Sequence, residues 1–108
     1  MSYIGFDFDP AAPAESELFG FDFVTEMQQG DTVINCQWGI AVAARSKVQD
    51  PDVATRIVGL PFVINKTEVL QRVADLQPGV VYVLSGYAFT SGGDSINLFS
   101  YCYCRDIA

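Results

Sequence analysis

A long apolar hairpin within residues 76–104 constrains the fold of this chain more than any other stretch. Two strand-like runs lie on either side of a Gly-Gly pair, and such a turn between such runs predicts a β-hairpin. The first run is entered through Leu76, Pro78 and Gly79, and Tyr82 follows at the spacing of a tyrosine corner. In that motif the phenol hydroxyl bonds to the backbone a few residues upstream. The hairpin therefore predicts an antiparallel β-sandwich.

Both faces of the predicted hairpin are apolar. A three-residue loop with Gly93 in the left-handed conformation would place Leu98 and Cys102 inside with Leu84, whereas an even-length loop would reverse the faces of the return strand. In either register, outer rings that each show about half of their ~150–250 Å² would match the ~300–600 Å² of the largest patch on a typical monomer. We therefore predict protein contacts at the outer face, through Val83, Tyr87, Phe89, Phe99, Tyr101 and Tyr103.

Alternating apolar residues predict two further strands ahead of the hairpin. One, at residues 17–23, has a buried face made of Phe19, Phe21 and Phe23. The other, at residues 32–43, has a buried face made of Ile34, Cys36, Trp38, Ile40 and Val42. We assign Trp38 to the centre of the core, in the space that the small residues Gly86 and Ala88 leave on the opposite sheet.

The middle of the chain supplies the remaining strands. Short β-rich segments at residues 54–58, 62–65 and 68–74 bring the predicted sandwich to about seven strands. Leu84 stands where an antibody domain carries its second core cysteine, so we expect no inter-sheet disulfide.

A polar loop at residues 45–52 separates the second strand from these segments and ends in Asp50, Pro51 and Asp52. The negative charges of two aspartates around a proline are compatible with binding of a calcium ion. A calcium ion takes about six to eight oxygen ligands, however, and no nearby residue completes that set. We therefore interpret the segment as a solvated turn.

Residues 1–16 are predicted to form an extended arm ahead of a sandwich domain at residues 17–108. Pro10 and Pro13, set among alanines, break any strand or helix and favour a polyproline-like path. The arm begins with apolar residues, among them Phe6 and Phe8, and these rings need a groove to lie in. That groove lies either on the arm's own domain or on a neighbouring molecule, and we predict that both rings make protein contacts.

Composition bears on the class of function. Thirteen acidic and six basic residues give a net charge of −7, which opposes binding to nucleic acid or to anionic lipid. No apolar run reaches the ~18 residues of a membrane span, and the N-terminus lacks the pattern of a signal peptide, so we expect synthesis in a cytoplasm. The chain has no histidine, and no sequence neighbours suggest an activated nucleophile or an acid–base pair. We therefore expect no enzymatic activity, no cofactor and no small-molecule substrate.

The three cysteines are Cys36, Cys102 and Cys104, each in a strand-like segment. A cysteine thiol behaves as a small apolar group, so we interpret all three as buried thiols. Cys102 and Cys104 face the same side of a strand, but two thiolates without further ligands do not form a zinc site.

Several short motifs follow one another in a specific order. Asp9-Pro10 is followed by Phe-Asp-Phe at 21–23, Gly-Asp-Thr-Val-Ile at 30–34 and Trp38, and then come Pro-Gly-Val-Val-Tyr-Val-Leu at 78–84 and Thr-Ser-Gly-Gly-Asp at 90–94. In this order and spacing, over about residues 9–105, the chain resembles the small immunoglobulin-like structural proteins of tailed bacteriophages, often described as fiber-tail adaptors. The resemblance implies an immunoglobulin-like or fibronectin-like sandwich in a virion component without enzymatic activity.

From the resemblance and the apolar surfaces we predict a structural protein of a phage virion, assembled in the host cytoplasm. It would be an adaptor or accessory subunit of the neck, tail or fiber attachment region, in contact with other virion proteins and with copies of itself. Capsid decoration and carbohydrate binding are the alternatives, since sandwich domains with exposed aromatic rings can stack on sugars. The sugar-binding alternative is weakened by the assignment of Trp38 to the core.

Overall fold

The computed structural model describes residues 2–105, which form seven β-strands and two short 3-10 helices. The strands are β1 (Ser2–Tyr3), β2 (Ser16–Asp22), β3 (Val33–Val42), β4 (Ile57–Ile64), β5 (Glu68–Ala74), β6 (Val81–Thr90) and β7 (Ser95–Tyr103). The 3-10 helices span Val24–Glu26 and Val53–Arg56. The predicted all-β fold of about seven strands is confirmed.

Two sheets face each other as a sandwich. One has four strands in the order β1-β7-β6-β3, and the other has three in the order β2-β5-β4. The neighbouring strands are antiparallel except for β1 and β7, which run parallel. The orders β2-β5-β4 and β7-β6-β3 correspond to strands B-E-D and G-F-C of immunoglobulin-type sandwiches. Two of the crossings between the sheets, from β3 to β4 and from β5 to β6, lie at the same end of the sandwich.

The hairpin of β6 and β7 adopts the first of the two predicted registers. Tyr82 lies opposite Cys102, and both are fully buried. The backbone N–H of Thr90 donates to the carbonyl of Asp94 at 2.9 Å, and this bond closes a three-residue loop. Gly93 in that loop has a φ of +91°, in the left-handed region that favours glycine. Every second residue of β6 is buried, so one face of the hairpin closes the core.

The buried face of β3 differs from the prediction at its first residue. Ile34 was expected inside, but 67% of its surface is exposed, and Val33 is buried instead. The cause is a β-bulge: the pairing with β6 shifts between Val33 and Asn35, and one extra residue reverses the side to which the preceding residues point. The alternation of residues from Cys36 onward is unaffected.

Trp38 is partly buried and packs against the core, so its burial and its neighbours both differ from the predicted place at the core's centre. It lies opposite Gly86 on the adjacent strand of its own sheet, so the small residues of β6 do not receive it from the other sheet. Phe21 of the facing sheet fills that space and stacks on the indole, with ring centroids 4.8 Å apart. A Cβ on Gly86 would lie 2.7 Å from the Phe21 ring, which explains why this position has no side chain.

The two segments predicted between residues 54 and 65 form one 3-10 turn and a single strand, β4, so the prediction of separate strands is wrong. The pairing of β4 with β5 shifts around Gly59 and Pro61, which produces the break visible in the sequence. The buried side-chain amide of Gln71 donates to the carbonyls of Val58 and Gly59 at 3.0 and 3.2 Å and stabilises this irregular backbone. Because β4 is an edge strand, it tolerates the proline.

The tyrosine corner is present and includes a charged pair that the sequence did not reveal. The N–H of Gln77 donates to the Tyr82 hydroxyl at 2.9 Å, as expected, and that hydroxyl donates to the carboxylate of Asp50 at 2.7 Å. Arg56 donates two hydrogen bonds of 3.0 Å to the same carboxylate. The interpretation of residue 50 as part of a solvated turn is therefore wrong, because Asp50 is buried.

The electrostatics of this group follow from its contacts. The Arg56 guanidinium beside Asp50 holds the pKa of that carboxyl below its usual value, against the opposing effect of burial. Burial raises the pKa of the Tyr82 phenol, so the hydroxyl stays protonated and donates. A buried carboxylate with three charge-assisted or hydroxyl hydrogen bonds is satisfied, and it links the crossing from β3 to β4 with the crossing from β5 to β6.

The N-terminal arm lies on its own domain, which decides between the two grooves that the sequence left open. It runs along β7, with the N–H of Phe8 donating to the carbonyl of Tyr101 at 2.9 Å. The Phe8 ring enters the core between the sheets, with centroids 5.1 Å from Phe19 and 5.4 Å from Phe21. Phe6 stays 65% exposed. The arm therefore covers the free edge of β7 and closes one side of the sandwich.

The buried ion pair predicts a large difference between two neighbouring aspartates. We expect Asp50→Asn to lower the free energy of unfolding by about 3 kcal/mol, because it leaves the Arg56 charge buried without its counterion. The exposed Asp52 gives the matched control, and Asp52→Asn should cost no more than about 0.5 kcal/mol. Urea unfolding followed by tryptophan fluorescence measures both, and equal effects would contradict the ion pair.

The same pair predicts how stability depends on pH. Because the folded pKa of Asp50 lies below its unfolded value of 3.8, its contribution is complete above that pH and is lost as the pH falls through the lowered folded pKa. The difference in unfolding free energy between the wild type and Asp50→Asn should therefore be constant near neutrality and shrink on acidification below 3.8. A difference that grows with acidification would contradict the sign of the shift.

Truncation of the two phenylalanines of the arm to alanine should have very different effects on stability. Phe8→Ala should lower the free energy of unfolding by about 3 kcal/mol, because it opens a cavity between the sheets. Phe6→Ala removes a largely exposed ring and should change the free energy by no more than about 0.5 kcal/mol. Thermal unfolding compares the two variants, and a larger loss for Phe6→Ala would show that the arm is placed differently in solution.

Candidate protein-protein interface

The six aromatic and aliphatic residues predicted at the hairpin interface share the outer face of the four-stranded sheet. Across the pair, Val83 lies opposite Tyr101 and Ser85 lies opposite Phe99, with the buried residues alternating between them. The register therefore brings together on this face Val83, Tyr87, Phe89, Phe99, Tyr101 and Tyr103. Their role in binding another protein stays a prediction.

Part of this outer face is covered by the chain itself. The Tyr3 ring lies 5.6 Å from Phe99 and 5.8 Å from Tyr101, and the Arg45 guanidinium lies 4.3 Å above the Tyr101 ring. Asp7 links the two covering side chains, since it accepts a hydrogen bond of 2.7 Å from the Tyr3 hydroxyl and lies 3.6 Å from Arg45. That hydrogen bond raises the pKa of Tyr3.

The exposed apolar area is consequently smaller than the sequence suggested. Tyr87, Phe89, Phe99 and Tyr101 are each well over half buried, and Tyr103 is exposed to 39%. The expectation that every ring shows about half of its surface is wrong for most of them, because neighbours on a pleated sheet shield one another and Tyr3 adds a further cover. The outer face of the hairpin is therefore a surface of partly buried rings with the Arg45 guanidinium beside Tyr101.

The Phe6 and Phe8 rings of the arm lie in different environments. Phe8 is partly buried and packs against the core, so we leave it out of the interface on the outer face of the hairpin. Phe6 lies at the rim of a cleft of about 310 Å³ between the arm and β2. The residues that line the cleft include the apolar Phe6, Phe8, Phe21 and Leu98 and the acidic Asp22 and Glu26.

A second apolar surface lies on the three-stranded sheet and was missed in the sequence. Leu60 on the irregular part of β4 is 88% exposed, and Val58, Phe62 and Leu18 are exposed as well. Phe62 lies opposite Leu70, whose side chain extends over Gly20. The run of apolar residues at 57–64 indicates this surface. The strand is apolar on both of its faces, and an edge strand of this kind must expose one of them.

The residues predicted to have structural roles occupy the core and its turns. Trp38 and Tyr82 pack as described above, and Gly93 forms the hairpin loop. Gly79, which follows Pro78, has a φ of +80°, and its N–H donates to the carbonyl of Cys104 at 2.9 Å. This bond joins the corner to the end of β7.

The cysteines follow the prediction in part. Cys102 and Cys104 are buried, and burial raises the pKa of Cys102 to about 12. Cys36 is only half-buried, and burial raises the pKa of its thiol too. Within residues 2–105, no three His, Cys, Asp or Glu side chains cluster closely enough to hold a metal ion. In the same part of the chain, no helix has the length and apolar character needed to cross a membrane.

Comparisons with known proteins leave the family open. No protein-family model matches the chain. No curated protein and no solved structure matches it either. The resemblance to phage structural proteins therefore depends on the motifs named above.

Proposed function

We propose that this chain is a non-enzymatic structural protein of a tailed-phage particle, an adaptor or accessory subunit of the neck, tail or fiber attachment region. The observation that carries the proposal is the outer face of β6 and β7, where large apolar side chains lie in a row on a chain with a net charge of −7. The charge keeps isolated copies apart in solution, whereas the apolar rows favour contacts with a matched surface. The order of the sequence motifs supplies the virion context.

A contact in an assembly needs a surface larger than the outer face of the hairpin alone. A stable protein interface buries about 1,200–2,000 Å² in total, about half on each partner. The outer face of the hairpin, with Tyr87, Phe89 and Tyr103, is continuous through Tyr3 with the arm and its exposed Phe6. A partner that covers both regions would bury the rings on this side of the domain.

Carbohydrate binding receives less support from the arrangement of the rings. Trp38 lies on the inner face of its sheet and stacks on Phe21, so it is not placed to stack on a sugar. Tyr3 and Tyr103 are exposed to 43% and 39%. A glycan array probed with the purified chain separates the two functions, and saturable binding there would favour an adhesion module over the adaptor.

The proposal predicts that charges placed on the outer face block incorporation into the particle. Tyr87→Lys combined with Phe89→Lys should lower the copy number in purified particles by about tenfold or more, which corresponds to about 1.4 kcal/mol of lost contact energy. Quantitative mass spectrometry of particles grown with each variant measures incorporation. A particle reconstruction that locates the wild-type chain identifies its neighbours.

Leu60→Lys combined with Val58→Lys is the matched control, because the pair places the same two charges on exposed apolar residues of the other sheet. Thermal unfolding of the isolated variants shows that each domain remains folded. Normal incorporation of the Tyr87 and Phe89 double variant would contradict the assignment of the outer face, and absence of the wild-type chain from particles would contradict the proposed function.

A further inference from the structure

The cleft between the arm and β2 has the size and lining of a pocket for an aromatic or large aliphatic side chain. Its volume of about 310 Å³ compares with the roughly 150 Å³ of an apolar cavity that binds benzene. Phe21 and Leu98 are buried residues of the two sheets, and Phe8 of the arm completes the apolar lining. Phe6 stands at the rim with most of its ring in solvent. An apolar group that enters would be covered on several sides.

The charges at the cleft have a single sign. Asp22 at the end of β2 and Glu26 in the following 3-10 helix both line it, and both are exposed. Among the described residues that line it, none is a lysine or an arginine. A cleft lined by apolar side chains and by two acidic residues therefore favours an apolar group with a positive charge next to it, by electrostatic complementarity.

The edge of β2 favours a peptide over a compact small molecule. Within residues 2–105, β2 pairs only with β5, so the backbone of its other edge has no strand partner there. Gly20, Phe21 and Asp22 of this strand line the cleft. An extended peptide can bond to a free strand edge through its main chain while its side chain fills a neighbouring pocket.

We propose that this cleft binds an extended segment of a partner protein that presents a large apolar side chain flanked by lysine or arginine. The inference gives the proposed adaptor a chemical criterion for its partner and depends on the proposed function only for the partner's identity. A second copy of this chain fits less well, because its exposed Phe6 is flanked by Asp7, whose charge would be repelled by the two carboxylates.

The test uses blocked tripeptides with the full chain. N-acetylated and C-amidated Lys-Phe-Lys, Glu-Phe-Glu and Lys-Ala-Lys separate the effects of the ring and the charge. In ¹H–¹⁵N NMR titrations we expect Lys-Phe-Lys to shift the amide signals of Phe21, Thr25 and Leu98 saturably. The other two peptides should bind at least tenfold more weakly.

Charge-neutral variants locate the site. Asp22→Asn combined with Glu26→Gln should weaken Lys-Phe-Lys binding at least threefold. The Asp22 carboxylate accepts the backbone N–H of Val24 at 3.0 Å, and the amide oxygen that replaces it can accept the same bond, so the turn is retained. Asp52→Asn combined with Glu15→Gln changes the net charge equally at exposed positions outside the cleft and should leave binding unchanged.

Each result has a defined meaning. Equal binding of Glu-Phe-Glu, or equal weakening by both double variants, would overturn the charge criterion and with it the proposed partner chemistry. Absence of any shift at the cleft with Lys-Phe-Lys would overturn the cleft as a docking site. Neither result bears on incorporation into particles, so the proposed function stands or falls separately.

Discussion

The buried carboxylate of Asp50 is the interaction on which the sandwich depends. It lies in the crossing from β3 to β4, whereas Tyr82 lies at the end of the crossing from β5 to β6, and the 2.7 Å bond between them joins the two crossings. Arg56 neutralises the charge at the start of β4. Without that pairing, the desolvation of the carboxylate would oppose folding, so the corner, the loop and the edge strand have to form together.

Features that depend on local alternation were predictable from the sequence. The spacing of Pro78 and Tyr82 predicted the tyrosine corner, and Gly93 predicted the hairpin loop. The apolar alternation of β6 and β7 predicted the two faces of the hairpin. Each of these features depends on residues close together in the chain. The exposed Ile34 was not predictable in this way. A β-bulge shifts a two-residue period without changing composition, and it is determined by the partner strand.

The surfaces were harder to predict because they depend on residues distant in sequence. The outer face of β7 followed from alternation, but its cover comes from Tyr3 and Arg45, which lie far from it in the chain. The cleft also depends on residues distant in sequence, because the arm lies next to β2 through its pairing with β7. The burial of Asp50 could be predicted only from its contacts with Arg56 and the Tyr82 hydroxyl. The composition of the loop alone indicated that Asp50 is exposed to solvent.

The pairing of the arm with β7 also orders events during synthesis and folding. The Ser100 hydroxyl donates to the Phe6 carbonyl at 2.6 Å, so a segment that is synthesised before the sandwich is held by the last strand of that sandwich. Contacts of such long sequence separation carry a large loop-closure cost and form late. The arm, with its aromatic rings, therefore has no complete docking edge until β7 has formed. A chain truncated within β7 would lack part of that edge.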